Sequence, residues 1–137
     1  MIIQEYSHRV LYADTDAMGV MYYANYLRIY EGARADFLDK IGLSLTDMVN
    51  SNIVSPVINV NIDYITPAKY DWTIRVVSTV KRLPAAKLIF HHEMFSPEGY
   101  LLNRATITLG FVSTINFRPM RCPQWIVEGF ENHFNNS

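Results

Sequence analysis

Apolar residues recur along this chain in two periods, and the switch between them divides it into elements. From Tyr6 to Tyr12 they alternate loosely with polar residues, as in a half-buried strand, and the run ends at a polar turn around Asp14. After Gly19 the spacing becomes threes and fours. Tyr26, Leu27, Tyr30, Ala33, Arg34, Phe37, Leu38 and Ile41 would share one face of a helix from about Tyr22 to Lys40. Asn25, or a residue just before it, is placed to cap the start and Gly42 to stop the end. Gly32 lies inside this helix, where it costs about 1 kcal/mol relative to alanine, so its expected use is close approach of another backbone. Leu45 to Asn52 reads as a short helical turn or loop. Ile58, Val60, Ile62 and Tyr64 then alternate with Asn59, Asn61 and Asp63, a period of two with one apolar face. Pro67 breaks that run. Trp72 to Val80, Lys87 to Phe95 and Leu101 to Asn116 read as three more strands, separated by Leu83-Pro84 and Pro97-Glu98-Gly99. Ile126 to Phe134 would form a last short helix, with the asparagines from Asn132 to Asn136 as a frayed tail.

The order is strand, long helix, then four strands joined by short turns. Short turns make antiparallel neighbours. The expectation is one α+β domain over residues 1–137, with an antiparallel sheet curling around the helix. Half the residues are hydrophobic, enough for a packed interior. A net charge of -1 supplies no cationic excess for a nucleic acid, so no such partner is expected. The one cysteine, Cys122, permits no intrachain disulfide and suits a reducing compartment. No motif surrounds it, and it reads as a packed small side chain. The N-terminus turns polar at once and no apolar run approaches the ~18 residues of a membrane span. These features predict a cytoplasmic protein with no membrane span.

Chemistry concentrates between Arg9 and Tyr26. Asp14 and Asp16 occupy a short turn, Gly19 follows, and an aromatic-rich helix start comes next. A carboxylate across a glycine-containing turn from a helix N-terminus can act on a carbonyl carbon or on a water, while the amides polarise the oxygen. Asp14 reads as a turn former. His8, His91, His92 and His133 lack ligand spacing, and adjacent strand positions send His91 and His92 to opposite faces, so neither a metal nor a cofactor is expected. The serines have no G-x-S-x-G context and no glycine-rich phosphate loop is present.

Three segments, in order, carry a resemblance: Arg9 to Tyr26, with its Asp14-Thr15-Asp16-x-x-Gly19 core; Asp63-Tyr64-x-x-Pro67-Ala68-x-Tyr70-Asp71; and Arg118-Pro119-x-Arg121-x-Pro123. Over nearly its whole length the chain is similar to the hotdog-fold acyl-CoA thioesterases, and most similar to the 4-hydroxybenzoyl-CoA thioesterase group, including the Tol-Pal-associated enzymes. The resemblance implies a five-stranded antiparallel sheet wrapped around one long central helix. It implies a homodimer joined sheet edge to sheet edge, pairing again to a homotetramer, with the active site at the subunit interface. The family carboxylate maps onto Asp16, as nucleophile or general base, and the carbonyl-polarising donor onto the backbone N–H of Tyr23. Where many Tol-Pal-type members carry a histidine after the tyrosine at position 22, this chain has Tyr23.

The substrate would be an acyl-CoA or an acyl carrier protein thioester. Gly19, Tyr22 and Asn25 would border it, although Asn25 also reads as a helix cap. Coenzyme A carries phosphates, for which Lys81, Arg82 and Arg118 are candidates; the same cations could simply form a charged sheet edge. Two other functions fit the pattern. A hotdog dehydratase would be expected to need a histidine beside an acid, and none stands near Asp16 in the sequence. A non-catalytic acyl-binding or scaffold protein would need no such group.

Overall fold

The computed structural model describes residues 1–134. Strand β1 (Ile2–Arg9) leads into a 3-10 turn at Tyr12–Asp14. Helix α1 (Asn25–Lys40), helix α2 (Leu45–Asn50) and the short strand β2 (Ile53–Val54) follow. Then come β3 (Val57–Tyr64), β4 (Thr73–Val80), β5 (Leu88–Phe95), β6 (Leu101–Leu109), β7 (Val112–Ser113) and helix α3 (Gln124–Phe134). The five longer strands form one sheet in the order β1-β4-β5-β6-β3, with every neighbour antiparallel.

Alternation on β4 and β5 buries Ile74, Val76 and Val80 on the first and Leu88, Phe90 and Met94 on the second. The 3.6-residue period of α1 buries Tyr26, Ile29, Tyr30, Ala33, Phe37 and Leu38. Helix and sheet meet through rings: Phe37 lies edge-on to Phe90 at 5.1 Å, and Tyr30 stacks on His92 at 4.7 Å. Helix α3 adds Ile126 and Phe130 to the same core. The sheet thus curls around α1, as the pattern predicts.

Several expected boundaries shift, each for a local reason. β1 begins at Ile2 and ends at Arg9, because the Leu11–Asp14 backbone tightens into the 3-10 turn. Helix α1 starts at Asn25 rather than Tyr22: the Tyr22 amide bonds to the Asp14 carbonyl (3.0 Å), which holds residues 22–24 as a turn. Asn25 is not the cap. Ala24 stands at that position without a side-chain bond, and Asn25 Nδ2 instead donates to the Asp14 carbonyl at 2.9 Å. Leu45–Asn50 is a true helix, capped by Ser44 Oγ accepting from the Asp47 amide. The strand expected to run to Asn116 stops at Leu109. The Gly110 amide bonds to the Pro56 carbonyl, and the chain departs to pair β7 with β2. Gly32 admits a side chain rather than a backbone: a Cβ there would lie 3.0 Å from the Tyr6 hydroxyl. Helix α3 continues through Asn132 to Phe134, and residues 135–136 of the expected frayed tail lie outside the described residues.

Strand β3 forms one edge of the sheet and is the least covered strand. Ile58, Val60 and Tyr64 remain 53%, 38% and 49% exposed, so the apolar face read from the sequence exists but lacks a full cover in a single chain. At the far end of α1 the helix closes as a Schellman motif. The Gly42 amide bonds to the Asp39 carbonyl and the Leu43 amide to the Leu38 carbonyl, with Gly42 at φ +81° and Leu38 and Leu43 both buried. Gly42→Ala is expected to lower unfolding free energy by about 1 kcal/mol, read as a lower urea midpoint at unchanged denaturant slope.

Candidate active site

Asp14, only 2% exposed, organises the turn between β1 and α1. Its Oδ2 accepts from the Leu11 amide and from His8 Nε2, both at 2.9 Å, and its Oδ1 accepts from Arg28 of the first helical turn. Its carbonyl accepts from the Tyr22 amide and Asn25 Nδ2. Burial pushes the carboxyl upward, but the Leu11 amide, His8 and Arg28 together outweigh it and hold Asp14 below its ordinary value. One residue therefore ties the end of β1 to the start of α1.

From this anchor the chain makes a small hairpin that carries Asp16. Thr15 pairs with Met21, the Asp16 amide bonds to the Val20 carbonyl, and Gly19 turns the chain at φ +78°. Val20 pairs with Lys69, and the Met21 amide bonds to the Ala68 carbonyl, which docks the hairpin on the β3–β4 connection. The Asp16 side chain is exposed in the single chain; its Oδ1 accepts from the Met18 amide at 2.8 Å. Next in the chain stand Tyr22 and Tyr23, both exposed, with rings 4.7 Å apart. The Tyr64 hydroxyl of the edge strand donates to the Tyr23 carbonyl at 3.3 Å. Among the described residues no acceptor answers the Tyr23 amide.

Beside α1 opens an apolar cavity of about 650 Å³. Leu27, Arg28, Glu31 and Arg34 line its helical wall, Val57 and Val60 its β3 wall, and Phe90, Ile107 and Phe130 its floor. Asp16 does not line it. The link between carboxylate loop and cavity is Arg28, which borders the cavity and pairs with Asp14.

A polar group also lies within the core. The Tyr30 hydroxyl donates to Asn103 Oδ1 at 2.5 Å, and Ser78 Oγ and His92 Nδ1 are 2.7 Å apart. Burial, with help from Arg34 and His91, pushes the His92 pKa down to about 3, so it is neutral at neutral pH.

A profile of the thioesterase-like superfamily matches residues 10–130. The chain belongs to the thioesterase-like superfamily. It is 32% identical over 120 residues to the "putative acyl-CoA thioesterase YneP" of Bacillus subtilis, covering 85% of this chain and 87% of that protein. It is 29% identical to YbgC of Escherichia coli, an acyl-CoA thioester hydrolase, over 90% and 92% of the two chains. The crystal structure of a DHNA-CoA thioesterase from Staphylococcus aureus superposes with a TM-score of 0.88 at 30% identity, covering 99% of this chain and 95% of that one. The sheet around α1 is thus the hotdog fold of this superfamily.

Within that fold, Tyr22, Tyr23 and Asn25 stand at the start of α1, and Asp16 and Gly19 lie on the hairpin that leads into it. Lys81, Arg82 and Arg118 do not join them. Ile2 pairs with Val80 and Arg9 with Thr73, so Lys81 and Arg82 stand at the end of β1 opposite the Asp16 hairpin, about 23 Å away along the strand. Arg118 belongs to that opposite end too, because the Cys122 amide bonds to the Ala85 carbonyl of the β4–β5 turn. Cys122 is half-buried, and burial pushes its thiol up to about 12.

No histidine stands near Asp16 in the sequence, yet the fold brings His8 to 2.9 Å from Asp14 of the same turn. Five residues of strand and turn separate the two, and only the tight 3-10 turn brings them back into contact. Arg28 carried no signal beyond its place in the first helical turn. Arg34 did carry one, as a cation on the apolar period of the helix. Among the described residues, no three His, Cys, Asp or Glu side chains converge to hold a metal ion.

Asp14→Asn is expected to cost about 2 kcal/mol, chiefly through the Leu11 and His8 bonds, because the Arg28 side chain is 61% exposed. With its native pKa lowered, the contribution of Asp14 is complete above the ordinary value of 3.8 and disappears as pH falls through the lower native value. The gap in urea midpoint between wild type and variant should therefore be constant from about pH 7 to about pH 5 and begin to narrow as pH falls below the ordinary carboxylate range.

Proposed function

We propose that this protein is an acyl-CoA thioesterase that hydrolyses a thioester to the free acid and CoA in the cytoplasm. Asp16 is its carboxylate and the Tyr23 amide its carbonyl-polarising donor. The observation that supports this reading is an unanswered Tyr23 amide at the entry to α1, seven residues after the exposed Asp16 on the same segment tied down by Asp14. The Asp14 bonds and the hairpin pairings fix the acid-bearing loop against a helix start whose amide is unanswered. Membership in the superfamily and the names of its relatives support the same chemistry.

The Met18 amide occupies Oδ1 of Asp16, which leaves Oδ2 for the reaction. The carboxylate either deprotonates a water that attacks the carbonyl carbon, or attacks that carbon itself to give a mixed anhydride that water then opens. In both routes the carbonyl oxygen gains negative charge, the carbon–sulfur bond breaks, and the thiolate leaves as CoA. A backbone donor at that oxygen is worth about 3 kcal/mol in the transition state.

The reading includes a homodimer joined at β3. A two-fold axis pairs that strand with its copy antiparallel. In each chain the Tyr64 end of β3 lies at the Asp16 end of the fold, and the Val57 end pairs with Leu109 near the basic end. Antiparallel pairing thus sets one chain's carboxylate loop beside the partner's basic end, where cations for the CoA phosphates would come from. It would also cover the exposed face of β3 and deepen the surroundings of Asp16. The tetramer of the resembling enzymes would pair two such dimers.

Asp16→Asn should lower kcat by at least about a hundredfold, with circular dichroism and elution volume unchanged; near-normal hydrolysis by this variant would refute the assignment. Ile58→Lys places a charge on the edge strand. It should convert the dimer to monomer in sedimentation velocity and abolish turnover at the same protein concentration.

A further inference from the structure

Four polar side chains line the cavity beside α1, and three are accounted for. The Ser55 hydroxyl donates to the Gly110 carbonyl at 2.7 Å and Arg28 pairs with Asp14; Glu31 is exposed to solvent and acts on Arg34 only through its charge, three residues away on the helix and with no hydrogen bond or ion-pair contact. Arg34 is different. It is 9% exposed, its Nη1 is completely buried, and among the described residues its guanidinium has no hydrogen bond and no ion pair. A guanidinium has five donors and remains charged even when burial lowers its pKa, as it does here. A buried guanidinium whose donors lack acceptors is costly even with the Glu31 charge nearby, and it calls for a partner. The remaining wall offers no acceptor: Leu27, Val60, Phe90, Ile107 and Phe130 are apolar.

Resting on the thioesterase reading above, we infer that Arg34 reads the far end of the acyl group, and that the cavity takes an acyl chain carrying a carboxylate at its distal end. A planar guanidinium matches a carboxylate through two parallel hydrogen bonds, and the negative charge compensates the buried positive one, which a neutral hydroxyl cannot do. The dimensions agree. Arg34 lies about 14 Å along the helix axis from Asn25, where α1 begins two residues after Tyr23, and helical side chains lean back toward the helix start. A thioester carbonyl held at the Tyr23 amide therefore leaves room for a chain of medium length, with apolar walls along its methylenes and Arg34 at its end.

The full chain tests this with octanoyl-CoA against suberoyl-CoA, equal in carbon count, and with the two corresponding CoA thioethers, which cannot be hydrolysed. Wild type should show a kcat/KM at least about tenfold higher for suberoyl-CoA. Calorimetry of the thioethers should give a Kd preference in the same direction. In Arg34→Met both ratios should fall toward one, and Arg34→Lys, which keeps the charge without the fork, should restore part of each. Equal handling of the two probes by wild type overturns the inference whether or not the variants fold, as does an unchanged ratio in Arg34→Met or a failure of both thioethers to bind. A wild-type ratio of one, together with a dimer weakened by Arg34→Met, would assign the guanidinium to a subunit contact instead. If the carboxylated thioether binds preferentially but no thioester is cleaved, the proposed hydrolysis fails and the assignment of Arg34 stands. If both thioesters are cleaved without preference, the reverse holds.

Discussion

The functional end of this molecule depends on one buried carboxylate. Asp14 accepts from a backbone amide, a histidine and an arginine through its side chain, and from two further donors through its carbonyl. These bonds join three pieces of chain that would otherwise diverge: the end of β1, the hairpin bearing Asp16 and the first turn of α1. A buried anion is tolerable only when donors surround it. Here the donors are the groups whose positions matter for a site at the helix start. Packing between α1 and the sheet fixes the helix axis, and Asp14 fixes how the chain joins it.

Most of the architecture was legible because it rests on period. Ile74, Val76 and Val80 alternate as a half-buried strand must, and the spacing from Tyr26 to Ile41 could only be a helix with one buried face. The misplaced boundaries sit where a tertiary bond overrides the pattern. Tyr22 has the right spacing for α1 but gives its amide to Asp14. Residues 110–116 are apolar enough to continue β6, yet the Gly110 amide turns to Pro56 and the strand ends. Neither bond leaves a trace in the sequence, since each joins backbone groups that every residue possesses.

The candidate site divides in the same way. Asp16, Gly19 and Tyr23 fall within eight residues, so one short segment contains all three. His8 and Arg28 reach Asp14 from different elements, and Lys81, Arg82 and Arg118 fall at the opposite end of the sheet. Their separation within one chain is geometrical, because an antiparallel fold places the loops at its two ends a full strand apart. A site that needs both ends must span two copies, and the uncovered edge of β3 offers the seam along which they would meet.

Cys122 has a practical side. Half-buried against Pro123 and with its thiol held protonated far above neutrality, it is the chain's one sulfhydryl and a poor nucleophile. A disulfide-exchange dye present during turnover would therefore react with liberated coenzyme faster than with the one thiol of the polypeptide.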